Sequence, residues 1–183
     1  ETRAAIRIGL EAFFRAIGDD ARARKLSFRV VACGGRDRAY AAFCNALAAN
    51  VDEVAALLVD AELPMADQPI QHLRRHDGWD FVPELCDRVF VMSQVMETWI
   101  IADSDALARY YGQHFGRNAL PRTRDLESVT KQVIARALNA ATQRTSKKRY
   151  EKIGDASRLL QIIDPEVVRR RCPQCERAFT VLG

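Results

Sequence analysis

Two carboxylates one residue apart, Asp60 and Glu62, close the short apolar run Ala55-Ala56-Leu57-Leu58-Val59. Side chains at i and i+2 of an extended chain point to the same side, so a strand-like ending would aim both acids at one place. Carboxylate oxygens gathered in that way suit a hard cation such as Mg²⁺ or Mn²⁺. A third acid, Glu97, stands alone in the apolar stretch Gln94–Ala102. A carboxylate in such surroundings is costly to bury unless it is paired, hydrogen-bonded or bound to metal. Basic residues follow: Lys131 on the polar side of an amphipathic helix, then Lys147, Lys148, Arg149 and Lys152 around Tyr150. Cations interleaved with an aromatic and with hydroxyl groups can grip a nucleic-acid backbone. The bland alternatives also fit these residues: a solvated acidic turn, a Glu on the exposed side of a short helix, and a solvated charged loop.

Other candidate motifs are weaker. Gly34-Gly35-Arg36 lacks both the spaced glycines of a dinucleotide fingerprint and the Gly-Lys-Ser/Thr ending of a nucleotide loop. His72 and His76 are four apart and could share a metal on a helix, but zinc needs at least one more convergent ligand. Cys172-Pro173-Gln174-Cys175 has no second ligand pair at usable spacing and follows three arginines rather than a strand, which favours packing near Phe179 and Leu182.

The focal run is too short for a typical helix and shows no alternation, as expected of a parallel strand covered on both faces. Open α/β sheets bind ligands at the carboxyl ends of such strands. Upstream, Ile6, Leu10, Phe13, Phe14 and Ile17 recur at helical spacing, and Gly18-Asp19-Asp20 is expected to end or bend that helix. Phe28–Cys33 reads as a strand ending in Gly34-Gly35, and Asp37–Ala49 as a helix. Helix, strand, helix, strand predicts a parallel sheet with right-handed crossovers, and an opening helix implies a strand before it. The start on Glu1 rather than methionine likewise leads us to expect further chain upstream.

Leu63–Pro83, with its prolines, Gly78 and two histidines, is expected to be a long loop anchored by Trp79 and Phe81. Arg88–Ser93 is expected as another strand, running into a helix that carries Met96, Trp99 and Ile100. Asp103 or Ser104 can cap the next helix, which stops at Gly112. Leu126–Ala141 reads as an amphipathic helix, Asp155 as the cap of a short one, and Asp164-Pro165 as the opening of another.

The chain has 183 residues, enough for one domain with a good core, and its 48% apolar and 28% charged residues exclude a disordered chain. No apolar run approaches the roughly eighteen residues of a membrane span, and no stretch reads as a signal peptide. Five cysteines, mostly in apolar patterns, fit a reduced cytoplasmic setting. The net charge of +4 is mild, but Arg117–Lys152 holds ten Lys/Arg against three Asp/Glu.

Three stretches, taken together, carry a likeness: Leu57–Glu62; Met96–Asp103 with Tyr110-Tyr111-Gly112; and Tyr150–Ile153 with Ala156–Leu160. They resemble the bacterial domain-of-unknown-function family 4276 over nearly the whole chain, Met96-Glu97-Thr98-Trp99 being the most specific part. That family is regarded as similar to Toprim domains, the metal-binding α/β module of topoisomerases, primases and some nucleases, and its members often neighbour ATPases in phage-defence gene clusters. The resemblance implies a Toprim-like parallel sheet with crossover helices over residues 1–103, and a C-terminal helical extension over 104–183 packed on it.

The Asp-x-Asp that closes the third Toprim strand would map onto Asp60 and Glu62, with Glu in place of the second Asp. The glutamate that closes the first strand would lie upstream or be Glu1 itself. The function implied is a nuclease subunit dependent on Mg²⁺ or Mn²⁺, acting on DNA or RNA in the cytoplasm, in anti-phage defence with an ATPase partner. A homo-oligomer within that complex is compatible with it. Asp60, Glu62 and Glu97 would be catalytic, the first two as metal ligands, with Lys131, Lys147, Lys148, Arg149 and Lys152 on the nucleic acid. The alternative is a non-catalytic regulatory or binding subunit of an ATPase complex with a degenerate acidic centre. An enzyme for a small phosphorylated molecule would need a closed pocket beside Gly34-Gly35.

Overall fold

In the computed structural model, which describes residues 2–49 and 52–183, the first apolar spacing forms two successive helices, α1 (Thr2–Phe13) and α2 (Arg15–Ala23). Gly18 lies inside α2 instead of ending it. A glycine within a helix costs only about 1 kcal/mol, less than burying Phe14 and Ile17 on this face returns. Residues 28–33, expected as a strand, carry no regular secondary structure. Strand-forming side chains do not make a strand without a partner to hydrogen-bond, and Val31 is 65% exposed. Helix α3 (Arg36–Ala48) then leads to β1 (Leu57–Asp60).

The expected long loop after β1 contains a helix, α4 (Pro69–Asp77), with proline in its first turn and Gly78 in the left-handed conformation at its end. Its buried face is Ile70, Leu73 and His72. The histidine obscured the helical period in the sequence. A 3₁₀ turn (Pro83–Arg88) feeds β2 (Val89–Met92), followed by α5 (Met96–Ala102) and α6 (Ser104–Tyr111). Asp103 caps α6 through Ala106 N at 2.9 Å, and its other oxygen accepts from Asp164 N at 2.9 Å. Helix α7 (Lys131–Thr142) starts later than expected, leaving the fully buried Leu126 in the preceding turn. Helices α8 (Lys152–Leu160), α9 (Pro165–Arg169) and α10 (Pro173–Leu182) complete the chain. Asp155 is not the cap of α8 but lies within it.

The fold is mixed α/β and mostly helical, with one parallel sheet of two strands among the described residues, β1 pairing β2 from Leu57↔Val89 to Asp60↔Met92. Both sheet faces are covered. Leu57, Val59, Val89 and Val91 join Phe43, Leu73, Trp79 and Phe81 in one core, whereas Leu58 and Met92 face a larger core built round Trp99. That alternation is the period-2 geometry of a strand whose two faces are both apolar, which is why the sequence shows an unbroken run. In the larger core α1 lies along α8, and α5 packs on α7, α8 and α9. Cys172 and Cys175 are buried beside Phe179 there. No helix among the described residues is long and apolar enough to cross a membrane.

Glu127 ties the turn before α7 to the start of α10, its two oxygens accepting from Gln174 N at 3.1 and 3.0 Å. Burial pushes its carboxyl up to about 7 against the opposing pull of that N–H. Because the folded value exceeds the ordinary one of 4.5, the folded state binds this proton more tightly. Stability from this group therefore falls as pH rises from 4.5 to 7 and is level above. Glu127 also lines an open cleft of about 660 Å³, so solvent screening trims the effect to about 2 kcal/mol. Urea unfolding at pH 5 and pH 8 should show the wild type losing about that much more stability than Glu127→Gln. Parallel pH profiles would show that the carboxyl titrates normally.

Candidate functional site

Asp60 ends β1 and reaches the start of α5, where its Oδ1 accepts from Met96 N at 2.8 Å. Val95, the residue preceding that helix, has no side chain able to do this, so a long-range carboxylate caps α5. The same contact sets Glu97, in the first turn of α5, next to Asp60. Glu97 is buried: Tyr150 OH donates to its Oε1 at 3.1 Å, and Lys152 Nζ stands 3.5 Å from its Oε2. Lys152 Nζ is also 3.8 Å from Asp60 Oδ2. Two carboxylates from different elements thus converge on one ammonium group at the carboxyl end of the sheet.

The electrostatics record the crowding. Burial raises the Asp60 carboxyl to about 6, with Lys152 pulling it down and Glu97 pushing it up. Burial, reinforced by the charge of Glu97, pushes the Tyr150 phenol well above its usual range, so it remains a hydrogen-bond donor.

Glu62 goes elsewhere. The strand ends at Asp60 and Glu62 sits at φ +63, so the i, i+2 geometry of an extended chain does not hold. Its Oε2 takes Lys131 Nζ at 2.6 Å. Gln94, buried after β2, joins these parts: its backbone oxygen accepts from Glu62 N at 2.7 Å and its Oε1 from Lys131 N at 3.3 Å. Lys131 and Lys152 are therefore partners of the acids, whereas Lys147 lies over the Tyr110 ring, 4.8 Å from its centroid, and Lys148 and Arg149 are exposed. Glu1 lies outside the described residues.

Among the described residues no three His, Cys, Asp or Glu side chains are grouped to hold a metal ion. Asp60 and Glu97 nevertheless present hard oxygens to a common cationic point, and Mg²⁺ is commonly held by one or two carboxylates with water and phosphate completing its shell. The residues fit such an ion as a two-carboxylate site. His72 and His76 do not form a metal pair with it: His72 is buried against Ala61 O, and the two rings are tilted at 50° with centroids 4.6 Å apart. Beside Gly34, the Arg3 side chain occupies the space that a Cβ would take.

Sequence reasoning passed over Tyr150 as a site residue and placed Asp155 only as a cap. Asp155 accepts from Tyr110 OH at 2.8 Å, Tyr111 OH at 3.0 Å and Glu151 N at 2.9 Å, which fixes the segment carrying Tyr150 and Lys152. The one available signal was the adjacency of Tyr150 and Lys152 to a basic run. The chain matches a family model described as Domain of unknown function (DUF4276) over residues 11–182. No curated protein and no solved structure matches it.

Proposed function

The chain belongs to the DUF4276 family, and from that premise we propose that it is a divalent-metal-dependent phosphodiester hydrolase subunit acting on DNA or RNA. The observation that carries this is the meeting of Asp60 and Glu97, both shielded from water, at one cation, Lys152 Nζ. A buried carboxylate and a half-buried one on one point require positive charge there. Asp60 and Glu97 would hold the Mg²⁺ or Mn²⁺ ion, which when bound would supply Lewis-acid polarisation of a phosphoryl oxygen. Tyr150 keeps Glu97 oriented. Lys152, whose side chain is 58% exposed, faces both the acids and solvent and neutralises phosphate charge beside them. Lys147, Lys148 and Arg149, on the segment that ends at Tyr150, hold the flanking backbone by charge. The placement of the acids at the carboxyl end of a parallel pair supports a Toprim-like arrangement for the core. An ATPase partner in cytoplasmic phage defence follows from the family resemblance alone.

A second reading has one observation in its favour. Lys152 already neutralises Asp60 and Glu97, as in a subunit that keeps the fold without catalysis and acts by binding its ATPase. Cleavage of labelled plasmid, linear DNA and RNA with Mn²⁺, with and without any ATPase that its gene neighbourhood encodes, separates the two. Cutting should need Mn²⁺, stop with chelator and vanish in Asp60→Ala. A folded wild type that cuts nothing under any of these conditions would establish the binding subunit.

A further inference from the structure

The turn that follows β1 is held in an uncommon backbone conformation. Glu62 lies at φ +63, in the left-handed region that side-chain-bearing residues avoid, and Leu63 N donates back to Ala61 O at 2.8 Å. A three-residue turn with a positive central φ is strained and persists only where the surroundings over-determine it. Three contacts hold this one. Ala61 N donates to Met92 O at 2.9 Å and Glu62 N to Gln94 O at 2.7 Å, both securing the amide side of the turn to the end of β2. The third secures its carbonyl side: His72 Nε2 lies 2.9 Å from Ala61 O. A carbonyl oxygen can only accept, so Nε2 carries the proton.

His72 is 1% exposed and sits on the buried face of α4, a helix that contributes no residue to the acidic centre. Its hydrogen bond lands on the residue between Asp60 and Glu62. We propose that His72 is a positioning residue for the acidic centre, an inference that rests on the reading of Asp60 and Glu97 as cation ligands. By holding Ala61 O it keeps the chain from relaxing to an extended path after Asp60. An extended path would swing Glu62 away from Lys131 and loosen the Asp60 carboxylate from Met96 N. The relation is that of an outer-shell partner to a ligand, whose loss lowers metal affinity without removing a ligand.

The test is Mn²⁺ titration calorimetry on the full chain, comparing wild type, Asp60→Ala, His72→Gln and His72→Asn, with urea unfolding of each. The amide nitrogen of glutamine reaches about as far as Nε2, whereas that of asparagine reaches only the Nδ1 position. His72→Asn should bind Mn²⁺ at least about tenfold more weakly than wild type, and His72→Gln within about threefold. A histidine that merely fills the core would lower the unfolding midpoint in His72→Asn and leave Mn²⁺ affinity equal to wild type, and that result overturns the proposal. A wild type that does not bind Mn²⁺, or an Asp60→Ala variant that binds it equally well, overturns the reading of the acidic centre itself and the positioning role with it. That failure is visible before any histidine variant is measured.

Discussion

Glu97→Gln is expected to lower cation-dependent cleavage about a thousandfold, and Glu62→Gln by less than about tenfold. The two acids stand in different environments. Glu97 is buried and shares Lys152 with Asp60, so its charge acts at the point where the proposed cation would be held, in surroundings where Coulomb interactions are weakly screened. On the proposed two-carboxylate site, losing one ligand would remove several kcal/mol of charge stabilisation. Glu62 has a side chain 39% exposed and spends its charge on Lys131, and a half-exposed ion pair is worth about 1 kcal/mol or less. Glutamine at position 97 still accepts from Tyr150 OH, so the segment round Lys152 keeps its anchor. Single-turnover rates at saturating Mn²⁺ decide the matter. Equal losses in the two variants would mean that Glu62 acts at the centre as directly as Glu97.

Trp99→Ala is expected to destabilise the protein by about 4 kcal/mol, against a small fraction of that for Trp99→Phe. Trp99 is wholly buried in the larger core, stacked on Phe13 at 5.5 Å and 27° and meeting Phe14 edge-on at 6.3 Å. Phe179 closes the cluster against both phenylalanines. Alanine there leaves a cavity beside α1, the α1–α2 junction and α10, which cannot all move inward together, so little of the lost volume is recovered. Phenylalanine preserves most of the buried area and the aromatic contact. Urea unfolding with a shared slope measures both changes. A loss below about 2 kcal/mol for alanine would show that these helices close over the gap. Because Trp99 lies two residues beyond Glu97 on α5, partial unfolding of this core would also displace Glu97 from Asp60 and Lys152.

Several parts of this arrangement could be read directly from residue types. The apolar run ending at Asp60 became a strand covered on both faces, and Arg88–Ser93 became its parallel partner. Asp103 and Asp164 cap the helices they precede, since a short acid followed by a helical period has few other uses. Other expectations failed for identifiable reasons. Phe28–Cys33 has the composition of a strand but no neighbour to pair with among the described residues. Helix α4 was hidden because one of its buried positions is a histidine, and a histidine counts as polar in any reading of periodicity.

The acidic centre divides along the same line. Sequence alone determined that Asp60 would close a strand and that Glu97 was an isolated acid in an apolar helix, because strand ends and helical spacing depend on residues only a few positions away. Only the tertiary structure decided that Asp60 caps α5, that Glu97 and not Glu62 faces it, and that Lys152 reaches both from 92 and 55 residues further along. Those pairings depend on packing between elements remote in the chain and on one backbone angle, φ +63 at Glu62. No local preference favours that angle for a glutamate. It is stabilised by the hydrogen bond that Glu62 N donates to Gln94 O and by the one that His72 donates to Ala61 O, contacts that exist only once the two cores have closed round the sheet.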